Sequence, residues 1–198
     1  DEKKIKFKVI DSGFLENNKG VHLVNRNINL PFLTDKDFEA IKIAKKYKIN
    51  NYALSFTNST KDIDKFSKIL KNENKIYKLE TKKALKNLHT IIKKGKSFII
   101  DRGDLSKDIS VEQIPVAQRT IINLGRKQNK KIYVATNFLE SMIKNNFPNR
   151  GEINDVYSTL ELGASGLVLA AETAIGKNPI DSVKLLKKIF KTYIKNKK

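Results

Sequence analysis

The chain has 198 residues, no cysteine, two histidines and a formal net charge of +19. This length is enough for one substantial domain with a real core, and the lack of cysteine excludes disulfides and thiolate metal sites. With only His22 and His89 available, a divalent ion would have to bind carboxylates, which favours magnesium or manganese.

The first segment, "IKFKVIDSGFLENNKGVHLV", alternates apolar and polar residues around two groups of turn residues. This pattern predicts a β-hairpin. It differs from everything that follows, so we place a boundary near Asn25 to Pro31 and divide the chain into residues 1–25 and 26–198.

Strand and helix patterns alternate after this boundary. The predicted strands are "NYALSFT", "KIYKLE", "SFIID", "KIYVAT" and "SGLVLA". Helices are predicted over residues 34–47, 60–70, 82–93, 111–128, 151–163 and 181–194, the first with Thr34 as its N-cap and the fifth closed by Gly163. Five such units predict an α/β fold with a parallel sheet, and the pattern alone leaves an open sheet and part of an eight-stranded barrel as alternatives.

The positive charge is spread over almost every segment, with 40 Lys and Arg against 21 Asp and Glu. Binding footprints for nucleic acid cluster on one face, so this distribution indicates a solvated lysine-rich surface that favours small anionic substrates. No apolar run approaches the ~20 residues of a membrane span, and no signal peptide is visible. We expect a cytoplasmic protein without membrane or nucleic-acid partners, with an organelle as the alternative location.

The chain starts at Asp1, and its single methionine is Met142. We therefore expect a processed chain, an expressed fragment or part of a longer protein.

Polar side chains follow successive predicted strands. Lys78 and Glu80 end the second strand, Gly103 and Asp104 follow the third, and Thr136 ends the fourth. Because the carboxyl ends of parallel strands meet at one edge, these groups are expected to converge on one rim. Two carboxylates there suit one magnesium ion, and a lysine beside them suits charge that develops on a substrate oxygen.

Several longer motifs resemble, in order and spacing, the second half of the pyruvate kinase family. They are "RGDLSKDI", "IPVAQRTII", "VATNFLESMI", "PNRGEINDV" and "AAETAIGKNPIDSVKLL". The segment "NKIYKLET" lies where that family carries Lys-Ile-Glu-Asn. The resemblance implies a partial TIM (β/α)8 barrel, about strands 4 to 8, formed by residues 26–198. Residues 1–25 would then be a hairpin at the end of the family's β-rich lid domain.

The resemblance also implies a reaction, the transfer of a phosphoryl group from phosphoenolpyruvate to ADP in glycolysis, giving pyruvate and ATP. Lys78 would contact the transferring phosphoryl group and the enolate oxygen, and Glu80 and Asp104 would hold Mg2+ or Mn2+. The backbone N–H groups of Gly103 and Asp104 would bind the substrate carboxylate. Thr136 would hydrogen-bond the substrate near the carbon that receives a proton. The ligands of the family's K+ ion would lie outside this chain.

The sequence also departs from the family pattern. Asp101 stands where the family has a small residue and adds a negative charge near the metal, and Ser106 replaces a glycine. Ala170 and Ala171 replace Ser-Gly, and "PNRGE" replaces Pro-Thr-Arg-Ala-Glu. The Lys-x-Glu, Gly-Asp and Thr positions are kept.

The family's first barrel strands, its phosphoryl-binding arginine and most of its lid have no counterpart in these residues. We therefore expect no complete catalyst from these residues alone. The missing barrel half or a partner chain would be needed, and a homo-oligomer is expected. The alternatives are a non-catalytic structural or regulatory subunit, or a metal-dependent lyase or aldolase that acts on pyruvate-like enolates.

Overall fold

The structure is a computed structural model, and it describes residues 6–14, 17, 20–21 and 31–197. The predicted hairpin falls partly outside these ranges, and residues 6–14 carry no assigned strand. The hairpin and the boundary between residues 25 and 26 therefore stay predictions. Among the described residues, no helix has the length and apolar character needed to span a membrane.

The centre of the fold is a five-stranded parallel sheet. Its strands are β1 (Asn51–Leu54), β2 (Asn74–Leu79), β3 (Ser97–Asp101), β4 (Lys131–Ala135) and β5 (Gly166–Val168). The strands lie side by side in chain order, β1-β2-β3-β4-β5. An open doubly wound sheet reverses this order at a switch point, whereas a barrel keeps it. The predicted α/β fold with a parallel sheet is confirmed, and the sheet is consistent with a partial barrel; its assignment to strands 4 to 8 stays a prediction.

Helices connect and flank the strands. They are α1 (Asp35–Lys46), α2 (Thr60–Ile69), α3 (Lys82–Lys86), α4 (Leu88–Lys94), α5 (Arg102–Leu105), α6 (Ile114–Lys127), α7 (Arg150–Glu161), α8 (Ala171–Ala174) and α9 (Pro179–Asn196). Short 3-10 turns cover Val111–Gln113 and Glu140–Ile143.

The predicted start of α1 and the predicted end of α7 are correct, whereas one predicted helix is broken in the middle. Thr34 caps α1 in a reciprocal capping box with Asp37, and Gly163 follows α7 with a φ of +97°. The single helix predicted over residues 82–93 is instead two helices that meet at Asn87. The side-chain amide of Asn87 donates to the carbonyl oxygen of Asn58 at 2.8 Å, and this tie to the loop after β1 accompanies the break.

The main core lies between the sheet and the helices. Along β2 and β3, the helix-facing side chains Tyr77, Leu79, Phe98 and Ile100 are buried. Side chains with the opposite parity, such as Ile76 and Ile99, are only half-buried. One sheet face is therefore well covered, while the other is less covered and carries Lys78, as expected where successive side chains alternate between faces.

Because α6 packs closely against β4, one added methyl group at their contact should strongly lower the stability of the fold. A Cβ at Gly125 would lie 2.3 Å from Ile132 Cγ1, so Gly125→Ala should overpack the core and lower the free energy of unfolding by about 1–3 kcal/mol. Urea denaturation measures this loss. Gly13→Ala is the control because a Cβ there meets nothing within 4 Å. Equal stability of the two variants would contradict this packing.

Candidate active site

The site is built on the carboxyl ends of β2 and β3. The strand register pairs Leu79 with Ile100, so the next residues along, Glu80 and Asp101, lie side by side. Lys78 points to the same face of its strand as Glu80. Its Nζ lies 2.5 Å from Glu80 Oε1 and 3.0 Å from Asp101 Oδ2. One ammonium group is therefore held between two carboxylates.

Glu80 is the most deeply buried member of the cluster, with 1% of its surface exposed. Its Oε2 accepts the N–H of Phe56 at 2.5 Å, while the buried Oε1 has the Lys78 ion pair but, among the residues that the structure describes, no well-aligned hydrogen bond. Burial raises the pKa of Glu80, and the contacts with Lys78 and Phe56 oppose that rise. A cation that reached Oε1 would meet an oxygen with free coordination capacity.

Lys78 is held in its charged form. Burial alone would lower its pKa, but the hydrogen bonds and charges of Glu80 and Asp101 outweigh burial and raise the pKa above its ordinary value of 10.5. The ammonium group is therefore protonated at neutral pH and presents a full positive charge to the site.

Asp104 completes a group of three carboxylates. Glu80, Asp101 and Asp104 each place one oxygen within 4.8 Å of the others. Two oxygens on opposite sides of one Mg2+ are about 4.2 Å apart, so small side-chain rotations would let the group share an ion. Asp104 Oδ1 also pairs with Lys107 Nζ at 2.6 Å on the more exposed side. The hard oxygen donors of the three carboxylates fit a divalent cation.

The loop after β4 brings Thr136 against the same end of the sheet. Thr136 has a φ of +72° and Asn137 a φ of +57°, a left-handed conformation that is unusual for a β-branched residue. In this conformation Thr136 Oγ1 accepts the N–H of Gly103 at 2.9 Å. The N–H of Asp104 points to Asp101 Oδ1 at 3.4 Å. Both N–H groups that the resemblance assigns to a substrate carboxylate thus have acceptors within the chain.

Arg102, a residue with no role predicted from the sequence, supports this loop. Its Nε donates to the carbonyl oxygen of Thr136 at 3.1 Å, and Nη2 donates to the same oxygen. Nη1 pairs with Asp155 Oδ2 at 2.7 Å, and the guanidinium lies over the ring of Phe138. An arginine directly before the predicted site residue Gly103 was a signal, but its partners lie 34 and 53 residues away in sequence.

Removing this support should weaken the fold near the site. Arg102→Ala would remove the donor of the Thr136 carbonyl and of Asp155 Oδ2, at a cost of roughly 1–3 kcal/mol, with solvent screening at the partly exposed Asp155 favouring the lower values. Thermal unfolding measures the loss. Arg119→Ala is the control because Arg119 makes one long, exposed contact with Pro115 O. If both variants unfold alike, the network does not stabilise the loop.

Glu172, another residue near a strand end, lies outside the cluster. It is 1% exposed and accepts the backbone N–H groups of Ala170 at 2.8 Å and Leu139 at 3.4 Å. Its carboxylate ties two loops together.

The chain is similar to known proteins along most of its length. The family model described as "Pyruvate kinase, barrel domain" matches residues 1–183. The chain belongs to the pyruvate kinase family. The resemblance drawn from the sequence motifs is thereby confirmed.

Individual pyruvate kinases match along nearly the whole chain. The pyruvate kinase of Thermotoga maritima is 37% identical over 192 residues, covering 95% of this chain and 41% of the relative. Plastidial pyruvate kinase 2 of Arabidopsis thaliana is 36% identical over 180 residues, 89% of this chain and 31% of the relative. The pyruvate kinase of Mycobacterium intracellulare is 34% identical over 186 residues, 92% of this chain and 39% of the relative. The chain therefore spans less than half the length of these curated relatives.

Proposed function

We propose that the chain forms part of a pyruvate kinase active site that transfers a phosphoryl group from phosphoenolpyruvate to ADP, giving pyruvate and ATP in glycolysis. The observation that carries this proposal is the half-buried Lys78 ammonium between Glu80 and Asp101, with Asp104 beside them. Phosphoryl transfer needs mainly positioning and charge neutralisation, and these groups supply both.

Each residue has a distinct proposed role. Glu80 and Asp104 would hold Mg2+ or Mn2+, which when bound would neutralise charge on phosphate and enolate oxygens. Lys78 would contact the phosphoryl group and stabilise the enolate oxygen as its charge grows. The N–H groups of Gly103 and Asp104 would bind the substrate carboxylate, after release from Thr136 Oγ1 and Asp101 Oδ1. The Thr136 hydroxyl, which now accepts from Gly103 N–H and donates to Ala135 O, would turn from these partners to hydrogen-bond near the carbon that accepts a proton. No residue of this chain is proposed as a K+ ligand.

We also propose that further strands complete the sheet. Within the described part of the chain, β1 and β5 each have a neighbour on one side only. The face that carries Lys78 is less covered than the helix-facing side. A separate polypeptide or another part of the same one would supply these strands, and the expected homo-oligomer stays a prediction.

A non-catalytic relative is the second candidate. The observation in its favour is that both N–H groups proposed for the substrate carboxylate already have internal acceptors. Such a protein would keep the fold and bind a metal ion without turning over phosphoenolpyruvate.

Phosphorus NMR separates these candidates. The natural protein that carries these residues is purified whole and incubated with phosphoenolpyruvate, ADP and Mg2+. The proposal expects the phosphoenolpyruvate signal to be replaced by the γ-phosphate of ATP. No turnover with retained Mn2+ binding would favour the non-catalytic relative. Mg2+-dependent release of inorganic phosphate, or carbon–carbon cleavage of pyruvate-like substrates without ATP, would point to other enolate chemistry.

A further inference from the structure

Asp101 makes two contacts that the proposed reaction does not explain. Its Oδ2 lies 3.0 Å from Lys78 Nζ, and its Oδ1 accepts the N–H of Asp104 at 3.4 Å. Asp101 itself is 9% exposed, while its partners Lys78 and Asp104 are half-buried. One internal carboxylate thus reaches two groups that the proposed function gives to the substrate.

The local fold explains why Asp101 reaches both groups. It is the last residue of β3 and the N-cap of α5, so its backbone stays extended while its side chain turns back onto the first turn of that helix. The β2–β3 register brings it beside Glu80. A small uncharged residue at this position would leave Lys78 with Glu80 as its single ion-pair partner and Asp104 N–H without a side-chain acceptor.

The added carboxylate also changes the charge of the cluster. The ammonium groups of Lys78 and Lys107 face the carboxylates of Glu80, Asp101 and Asp104. Two positive and three negative groups give the cluster a formal net charge of −1. Without Asp101 the same count is zero. A more negative cluster attracts a divalent cation and repels an anion, most strongly where burial limits screening by water.

We propose, on the basis of the proposed function, that Asp101 sets the relative affinity of this site for anions and cations. It acts as an internal carboxylate that competes with the substrate's carboxylate, and it strengthens cation binding. The substrate carboxylate must displace Asp101 from Asp104 N–H, and the phosphoryl and enolate oxygens of the substrate must share Lys78 with Asp101. The same side chain adds one negative charge beside the Glu80 and Asp104 oxygens. Asp101 therefore shifts the two affinities in opposite directions.

The test is Asp101→Asn in the whole natural protein. Asparagine has the same shape and still offers an oxygen to the Asp104 N–H, but it carries no charge. Electron paramagnetic resonance of free Mn2+ measures cation affinity, and calorimetry with oxalate at saturating Mg2+ measures anion affinity. Loss of one nearby charge should weaken Mn2+ about tenfold and tighten oxalate about tenfold.

Asp181→Asn is the matched control. It makes the same charge change at an exposed position on α9, where Asp181 lies 3.5 Å from Lys184. Both affinities should stay within about twofold of the parent protein, since exposed charges are screened. Asp101→Ser, which keeps a capping oxygen without charge, replaces the asparagine variant if circular dichroism shows that variant to be unfolded.

Opposite shifts in the two affinities support the proposal, because a merely loosened site would weaken both ligands. An uncharged variant that binds oxalate no more tightly than the parent, or that keeps the parent's Mn2+ affinity, overturns it. The phosphorus NMR assay distinguishes this failure from failure of the proposed function. Opposite shifts without ATP formation would reject the reaction and keep the role of Asp101, whereas ATP formation with unchanged affinities would reject that role alone.

Discussion

Lys78→Met is expected to lower kcat for ATP formation about 100- to 1,000-fold, the usual cost of removing one donor to developing negative charge. Methionine keeps an unbranched apolar stem one atom shorter than lysine but removes the charge that Glu80 and Asp101 hold in place. The enolate charge grows in the transition state, so the effect should fall on turnover. Steady-state kinetics of the whole natural protein measure it.

Binding separates this role from a structural one. The Lys78→Met variant should still bind Mn2+, since removal of a neighbouring positive charge does not weaken a cation site. Lys107→Met is the control because Lys107 contacts Asp104 from the exposed side and should affect kcat far less. A Lys78→Met enzyme with normal kcat and only a raised KM would contradict the role given to Lys78.

Glu80→Gln is expected to weaken Mn2+ binding by about 100-fold or more, because it removes the charge of a proposed metal ligand. Mutation of residues that only support a metal ligand already lowers metal affinity about 10- to 100-fold. The carboxylate that this variant loses is 1% exposed, and within the described part of the chain its Oε1 has the Lys78 ion pair but no well-aligned hydrogen bond. Titration of the free Mn2+ resonance gives the dissociation constant.

Glu172→Gln is a demanding control for this loss. Glu172 is buried to the same degree as Glu80, but it bonds backbone N–H groups outside the carboxylate cluster. Its variant should keep the parent's Mn2+ affinity even if it is less stable. Equal weakening in both variants would mean that Glu80 acts through the fold and not as a ligand.

Local patterns were sufficient to predict much of the fold. The capping residue Thr34, the terminating Gly163 and five short apolar runs each act over a few residues, and the predicted α/β parallel sheet followed from them. The break at Asn87 was missed because it coincides with a contact to Asn58, 29 residues away in sequence. Helical periodicity carries no information on such a contact.

In the candidate site, too, the features set by local sequence could be predicted, and those set by long-range contacts could not. The placement of Lys78 beside Glu80 followed from their spacing on one strand, and Asp104 followed from its place after the next strand. Two features required three-dimensional coordinates, namely the bridge made by Asp101 and the arginine network behind Thr136. In both cases several charged groups lie nearby, and side-chain rotamers and loop dihedrals determine which of them the side chain contacts.

A crystal structure of the whole natural protein with Mn2+ and oxalate, recorded with anomalous scattering from manganese, tests the central claim most directly. The claim is that Glu80 and Asp104 hold one divalent ion beside Lys78. The expected result is a single strong anomalous peak at the ends of β2 and β3, with oxygens of both carboxylates at about 2.1–2.2 Å and an oxalate oxygen in the same coordination sphere. A fully occupied manganese site elsewhere, with Glu80 still paired only with Lys78, would contradict the claim.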